Sequence, residues 1–260
     1  SRTEYKEKLY GFWLGQCIAN WTGLVTEMDK IGNIGDIKTG KFYTMEDWGK
    51  PDKPNIWSED PSDSSSTIDF VFAEKGDIWG ADDDTDIEYI YLHAIEKFNN
   101  NKLTGEEISL AWQDHIGLPK LWVSNLAALG QMQNGAIPPE TSLPENNPMW
   151  DMIDAQLTTE IFGILAPGRP EVALDMAHLP IRTTAYLHSK WASEFYVIMH
   201  SMAALVDQSL SRKDQVFWLA DQARKRIPDW SYIADMYDFV KTEYEANVDK
   251  DYWELTRDKI

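Results

Sequence analysis

Apolar residues recur three and four positions apart along most of this 260-residue chain. That spacing places them on one face of an α-helix, so the pattern predicts helix after helix and no parallel sheet. Thr104 and Glu107 form a capping-box pattern, and Pro170 suits a first helical turn. The chain is therefore predicted to be a single all-α domain over residues 1–260 with about nine helices. The predicted helices cover residues 3–20, 87–98, 104–116, 120–133, 150–165, 170–178, 188–210, 213–227 and 231–248.

Two long segments interrupt the helical pattern. Residues 30–81 and 134–148 are rich in Gly, Pro, Asp and Ser or Asn, which is typical of irregular structure. A loop as long as residues 30–81 is unusual inside a compact domain, so it either covers a site or contains short strands. The alternation of Ile68, Phe70 and Phe72 with polar or smaller residues weakly favours a strand there.

Four carboxylates cluster just ahead of the second predicted helix. Asp82, Asp83, Asp84 and Asp86 fall within five positions. One acidic residue at a helix N-terminus is ordinary capping, but four exceed that need and repel one another. Hard divalent cations such as Mg²⁺ and Ca²⁺ bind oxygen ligands of this kind. The cluster therefore predicts a cation site at this helix start.

Composition excludes several classes of partner. The net charge of −19 argues against nucleic acid and against an anionic membrane surface, because both require a basic face. No apolar run reaches the roughly 20 residues that cross a bilayer. A soluble protein is expected, either cytoplasmic or exported with its signal peptide already removed. The sequence leaves the compartment and the oligomeric state open.

The order of four motifs resembles the ADP-ribosylglycohydrolase family, especially its Trp-rich, long-looped members. Residues 15–23 end the first helix, and Glu27 follows four residues later. The acidic run at residues 82–85 opens a later helix, and a Pro-Gly-x-Pro segment comes at residues 167–170. The resemblance implies an orthogonal multi-helix all-α fold with a magnesium site.

The resemblance can be carried over position by position. Asp83 and Asp84 match the two metal-binding aspartates of the family's Thr-Asp-Asp-Thr run, and Asp82 replaces its first threonine. Glu27 matches the active-site glutamate, whereas Asn20 stands where the family has an aspartate. The later Asp-x-Asp segment that completes the family's metal pair has no counterpart after residue 180. Either the chain is a fragment of a longer polypeptide, or this member lacks half of the metal site.

The resemblance implies a hydrolase that cleaves an N- or O-glycosidic bond of an ADP-ribosyl or related glycosyl substrate. One or two Mg²⁺ ions would be bound by Asp82, Asp83 and Asp84, the last two acting in catalysis together with Glu27. Substrate contacts are expected from four other side chains, namely Asn20, Trp21, Trp79 and Ser189.

The same residues allow other functional interpretations. The fold could bind a sugar, a nucleotide or a protein without turnover. The acidic run also fits the aspartate-rich motif of isoprenoid synthases, another all-α class of magnesium enzymes, although no second motif accompanies it. An EF-hand loop beginning at Asp82 is rejected, because its sixth and twelfth positions would be Ile87 and His93 instead of Gly and Glu.

Overall fold

The computed structural model describes residues 1–24, 33–34, 37–38, 42–47, 83–117, 121 and 123–260. The chain divides into two compact units. One comprises Ser1–Asp82 with Val240–Ile260, and the other comprises Asp83–Phe239. The expected single domain over residues 1–260 stays a prediction.

The all-α prediction is confirmed. The short strands β1 (Asn33–Ile34) and β2 (Ile37–Lys38) pair antiparallel, and the predicted strand around Phe70 lies outside the described residues. None of the helices in the described ranges is both long enough and apolar enough to span a bilayer. These ranges contain eleven α-helices: α1 (Arg2–Leu24), α2 (Asp83–Phe98), α3 (Gly105–His115), α4 (Val123–Gln133), α5 (Asp154–Thr158), α6 (Ile161–Leu165), α7 (Pro170–Ile181), α8 (Leu187–Met202), α9 (Arg212–Arg224), α10 (Tyr232–Ala246) and α11 (Glu254–Arg257).

The capping signals in the sequence mark real helix starts. The Glu107 N–H donates to Thr104 Oγ1 (3.2 Å), and the Thr104 N–H donates to Glu107 Oε2 (2.9 Å), so the capping box before α3 is complete. Pro170 occupies the first position of α7, where its missing N–H costs nothing. Ser1 caps α1, because its Oγ accepts the N–H of Glu4 at 3.1 Å.

One predicted helix is broken in two. Residues 150–165 have a continuous apolar period, but the structure ends α5 at Thr158 and begins α6 at Ile161. The Thr158 and Thr159 hydroxyls donate to the carbonyl oxygens of Asp154 (3.0 Å) and Ala155 (2.6 Å). Hydroxyls bonded to carbonyls four residues back compete with the helical backbone, which explains the break.

Helix α8 lies at the centre of the second unit and packs on α5, α6, α7 and α9. Val197 and Ile198 on this helix are fully buried. Gly163 lets α6 approach α8 closely, because an added Cβ would lie 2.5 Å from the Val197 carbonyl oxygen. The predicted helix over residues 188–210 is thus present, although it ends at Met202 instead of residue 210.

Helix α2 contributes both aromatic and acidic side chains to the interior of the second unit. The Tyr91 ring lies 5.5 Å from the Phe162 ring and 6.3 Å from the Trp112 ring. Glu88 is fully buried, and its Oε1 accepts the Ile161 N–H at 2.8 Å. Since the first N–H groups of a helix have no partner within it, Glu88 serves as a cap for α6 from a different helix.

Within the first unit, α11 contacts the segment at residues 42–47. The Arg257 guanidinium donates to the Tyr43 carbonyl oxygen and lies 4.9 Å from the centre of the Trp253 ring. Glu254 accepts the Met45 N–H. The segment at residues 42–47 is thereby attached to the C-terminal residues.

Candidate functional site

The acidic run opens α2, as its sequence predicts. Asp83, Asp84 and Asp86 occupy the first turn, where the helix dipole favours negative charge. Asp83 and Asp84 are half-buried, and Asp86 is exposed. The side-chain amide of Asn125 donates to Asp83 Oδ2 at 3.2 Å. Asp83 is thus held by a residue of another helix.

Asn125 is itself anchored by a buried carboxylate. Its backbone N–H belongs to the first turn of α4 and donates to Asp154 Oδ1 at 3.0 Å. Asp154 therefore satisfies one of the N–H groups that α4 leaves unpaired at its start. Asn125 is 1% exposed and Asp154 is 5% exposed. The series Asp83–Asn125–Asp154 connects α2, α4 and α5.

Three oxygen atoms beside this series are buried without a hydrogen-bond partner in the described part of the chain. They are Asn125 Oδ1, Asp154 Oδ2 and Ser124 Oγ. The Ser124 hydroxyl nevertheless lies near enough to Asp154 to lower the pKa of that carboxyl, so Asn125 Oδ1 is the clearest of the three. A buried polar atom left unpaired costs about 1–3 kcal/mol, so such atoms call for a further partner. A water molecule, a ligand hydroxyl or a hard cation could each supply it.

The donor set suits magnesium in type. Every side-chain atom named in this cluster, apart from the Asn125 amide nitrogen, is an oxygen, the ligand that Mg²⁺ prefers. Within the described residues, however, no group of three or more His, Cys, Asp or Glu side chains is arranged to hold a metal ion. Asp82, the remaining carboxylate of the predicted ligand set, lies outside those residues.

Burial raises the pKa of Asp154 above its ordinary range, and the Asn125 N–H offsets part of this rise. The folded state therefore disfavours the ionised carboxylate more than the unfolded state does. Protonated Asp154 therefore contributes to the free energy of unfolding at pH values below its pKa in the unfolded chain. This contribution is lost as the pH rises through its higher pKa in the folded protein.

Two substitutions at Asp154 distinguish the effect of its charge on stability from the effect of its hydrogen bond. Asp154→Asn keeps an acceptor for the Asn125 N–H and removes the charge, so we expect unchanged or higher stability at neutral pH and a weaker pH dependence. Asp154→Ala leaves that N–H unpaired and should cost about 1–3 kcal/mol. Urea unfolding from about pH 4 to about pH 8 measures both. Equal losses in the two variants would show that the ionised carboxylate itself is needed.

The predicted site residues fall into three groups. Glu27, Trp79 and Asp82 lie outside the described residues, as does the side chain of Trp21. Asn20 is half-buried near the end of α1, in the first unit. Asp83, Asp84 and Ser189 belong to the second unit. Their assignments as catalytic, metal-binding or substrate-binding residues stay predictions.

Ser189 is buried at the start of α8. Its hydroxyl donates to the Trp150 carbonyl oxygen (2.6 Å) and accepts the Tyr186 N–H (3.1 Å). These bonds fix the start of α8 against the segment that leads into α5. A contact between Ser189 and substrate remains an expectation.

Asn125 and Asp154 are absent from the sequence-based site. Asn125 lies in a predicted helix whose sequence has no motif associated with a site, and 42 positions separate it from Asp83. A weak signal exists at Asp154, an acidic residue directly between the apolar Ile153 and Ala155. A charged residue at a core position is unusual enough to attract interest.

The fold and site together define an all-α protein with an oxygen-rich centre at one helix start. The family model for ADP-ribosylglycohydrolase matches residues 1–258, and the chain belongs to this family. The resemblance found in the sequence is thereby confirmed. No curated protein and no solved structure matches the chain.

Proposed function

We propose that this protein is a magnesium-dependent hydrolase that cleaves an N- or O-glycosidic bond of an ADP-ribosyl or related glycosyl substrate. Family membership supports glycosyl hydrolysis. The observation that carries the proposal is the hydrogen bond from Asn125 to Asp83, because it holds a carboxylate of the acidic run beside buried oxygen atoms for which the described residues supply no hydrogen-bond partner.

Each residue has a distinct task in this proposal. Asp83 and Asp84, with Asp82, hold Mg²⁺, and the Asn125 amide keeps the Asp83 carboxylate in one orientation. When bound, Mg²⁺ orients substrate hydroxyls and lowers the pKa of a coordinated water. Glu27 serves as the acid or base that moves a proton at the scissile oxygen or nitrogen. Hydrolysis of such bonds passes through an oxocarbenium-like state that these groups would stabilise.

The proposal is tested by calorimetric titration with Mg²⁺, followed by hydrolysis assays. ADP-ribosylated peptides and nitrophenyl glycosides would be compared with and without the metal. Saturable Mg²⁺ binding and metal-dependent release of product from either substrate class are expected. Absence of hydrolysis across the panel in the presence of bound Mg²⁺ would overturn the enzymatic assignment.

A binding module without turnover is the second candidate. It is favoured by the lack, among the described residues, of three or more side chains of the usual metal-binding types in one group. The presence of Asn20 where the family has an aspartate points the same way. In that case ligand binding would be measurable, and no product would form.

A further inference from the structure

We propose that His93 and His115 bind a divalent transition-metal ion such as Zn²⁺ or Cu²⁺ on the surface of the second unit. We call these two residues the histidine pair. Its ligand atoms are imidazole nitrogens, so the site is chemically distinct from the oxygen-rich acidic run at the start of α2. The bound ion joins α2 to α3, and the proposal does not depend on the proposed hydrolysis.

The two histidine rings come from different helices and contact each other. His93 belongs to α2, and His115 is the last residue of α3. The ring centres are 4.9 Å apart, and the ring planes are nearly perpendicular, at 85°. Both residues are exposed, so an ion can reach the two rings directly from solvent.

The distance between the rings matches that of two histidines bound to one metal ion. An imidazole nitrogen lies about 2.0–2.1 Å from Zn²⁺, and a tetrahedral angle between two such bonds places the ring centres about 5 Å apart. The observed 4.9 Å agrees with this separation. Rotation of each exposed ring about its Cβ–Cγ bond changes the direction of its nitrogens and leaves the ring centre almost in place. One nitrogen of each ring can therefore turn toward a common ion without movement of the helices.

A buried contact holds the two helices at this separation. The Tyr91 and Trp112 rings are both fully buried, and their centres lie 6.3 Å apart. Tyr91 precedes His93 by two residues on α2, and Trp112 precedes His115 by three on α3. The histidines are thus brought together by the core before any ion binds. Ligands positioned in advance lose less conformational freedom on binding, which favours affinity.

The charges around the histidine pair favour a cation. His115 lies in the last turn of α3, where the helix dipole attracts positive charge. Glu96 follows His93 by one helical turn and is exposed, so its carboxylate adds negative charge on the same helix. Lys97 is paired with Asp114 at 3.1 Å, which offsets part of its repulsion. The net charge of −19 also raises the concentration of cations near the protein.

The type of ligand atom decides which metal is bound. Imidazole suits Zn²⁺ and Cu²⁺, whereas Mg²⁺ prefers oxygen ligands. In the part of the chain that the structure describes, no group of three or more His, Cys, Asp or Glu side chains is arranged to hold a metal ion. The histidine pair accordingly supplies two protein ligands, and water molecules complete the coordination.

Binding at the histidine pair stabilises the folded state, because the two rings are brought together only when α2 packs on α3. An ion that binds the folded protein alone raises the unfolding midpoint with its concentration. At a free Zn²⁺ concentration of about 100 times its Kd, the midpoint of the second unit should rise by about 5–10 °C. Differential scanning calorimetry with increasing Zn²⁺ measures this shift.

Calorimetric titration of the full chain with Zn²⁺, in excess Mg²⁺ to occupy oxygen-rich sites, tests the proposal directly. A pH of about 7.5 suits the titration, because imidazole binds metal in its neutral form. His93→Gln and His115→Gln should each weaken Zn²⁺ binding by at least about tenfold, since loss of even an outer-shell partner costs about 10- to 100-fold. Each should also abolish the rise in midpoint. Electron paramagnetic resonance of bound Cu²⁺ should show coupling to two imidazoles in the wild type and to one in either variant.

His178→Gln is the matched control, because His178 is also an exposed histidine of the second unit and lies on α7. Its Zn²⁺ affinity should equal that of the wild type. All three substitutions are at exposed positions, where folding is rarely affected. Unchanged Zn²⁺ affinity in His93→Gln or His115→Gln, or no saturable Zn²⁺ binding by the wild type, would overturn the proposal. Loss of Zn²⁺ binding in Asp83→Asn alone would place the ion at the acidic run and overturn it equally. No hydrolysis is measured, so failure of the proposed function would leave this result unaffected.

Discussion

Replacing Asp83 with Asn is expected to weaken Mg²⁺ binding and to slow hydrolysis by at least about 100-fold, because loss of even an outer-shell partner of a metal ligand costs about 10- to 100-fold. The amide keeps the size of the carboxylate and removes its charge. The Asn125 amide would still meet an oxygen at position 83, so α2 and α4 should remain in register. Stability should change by less than about 1 kcal/mol, because the negative charge lost from the first turn of the helix is offset by weaker repulsion within the acidic run.

The control for this variant is Asp114→Asn. Asp114 is an exposed residue of α3 that pairs with Lys97 at 3.1 Å, so the substitution removes the same charge away from the acidic run. Mg²⁺ affinity and hydrolysis should remain at the wild-type level. Asn125→Ala should reduce Mg²⁺ affinity and the rate of hydrolysis by about tenfold, an effect between those of Asp83→Asn and Asp114→Asn. The effect is intermediate because only the orientation of Asp83 changes. Wild-type Mg²⁺ affinity in Asp83→Asn would contradict the proposed metal site.

Replacing Gly163 with Ala is expected to destabilise the second unit by about 3 kcal/mol, the upper end for an overpacked core. The added Cβ would lie 2.5 Å from the Val197 carbonyl oxygen and 2.6 Å from His200 Cβ. One of these atoms is backbone, so α6 and α8 must separate. The gain in helix propensity of about 1 kcal/mol is too small to compensate. Thermal unfolding should show a midpoint lower by about 6–12 °C.

Gly130→Ala in α4 makes the same chemical change without a steric consequence. A Cβ there would meet no described atom within 4 Å. The substitution should therefore stabilise the protein by about 0.5–1 kcal/mol, as expected for alanine in a helix. An unfolding midpoint for Gly163→Ala as high as that of Gly130→Ala would mean that α6 and α8 are not in close contact.

Local signals in the sequence were sufficient for most helices. The capping box at Thr104, the proline at position 170 and the apolar period of α2 all depend on residues within one or two turns. The break between α5 and α6 was missed, because the apolar period continues through it. The hydroxyls of Thr158 and Thr159 decide that break by bonding to the backbone.

The candidate site was predictable only in part, for a related reason. The run of carboxylates at the start of α2 is visible as a local excess of negative charge. Asn125 and Asp154 become part of the site through contacts between helices far apart in sequence, and no periodic pattern encodes them.

The buried carboxylate of Glu88 has a consequence for local opening. Because Glu88 accepts the Ile161 N–H, the second turn of α2 cannot separate from α6 without exposing both groups. Amide hydrogen exchange at Ile161 should accordingly be among the slowest in the chain, approaching the rate set by global unfolding. The acidic centre would then lie in a region with a high free energy of local opening. Thermal fluctuations would therefore change the positions of its carboxylates little.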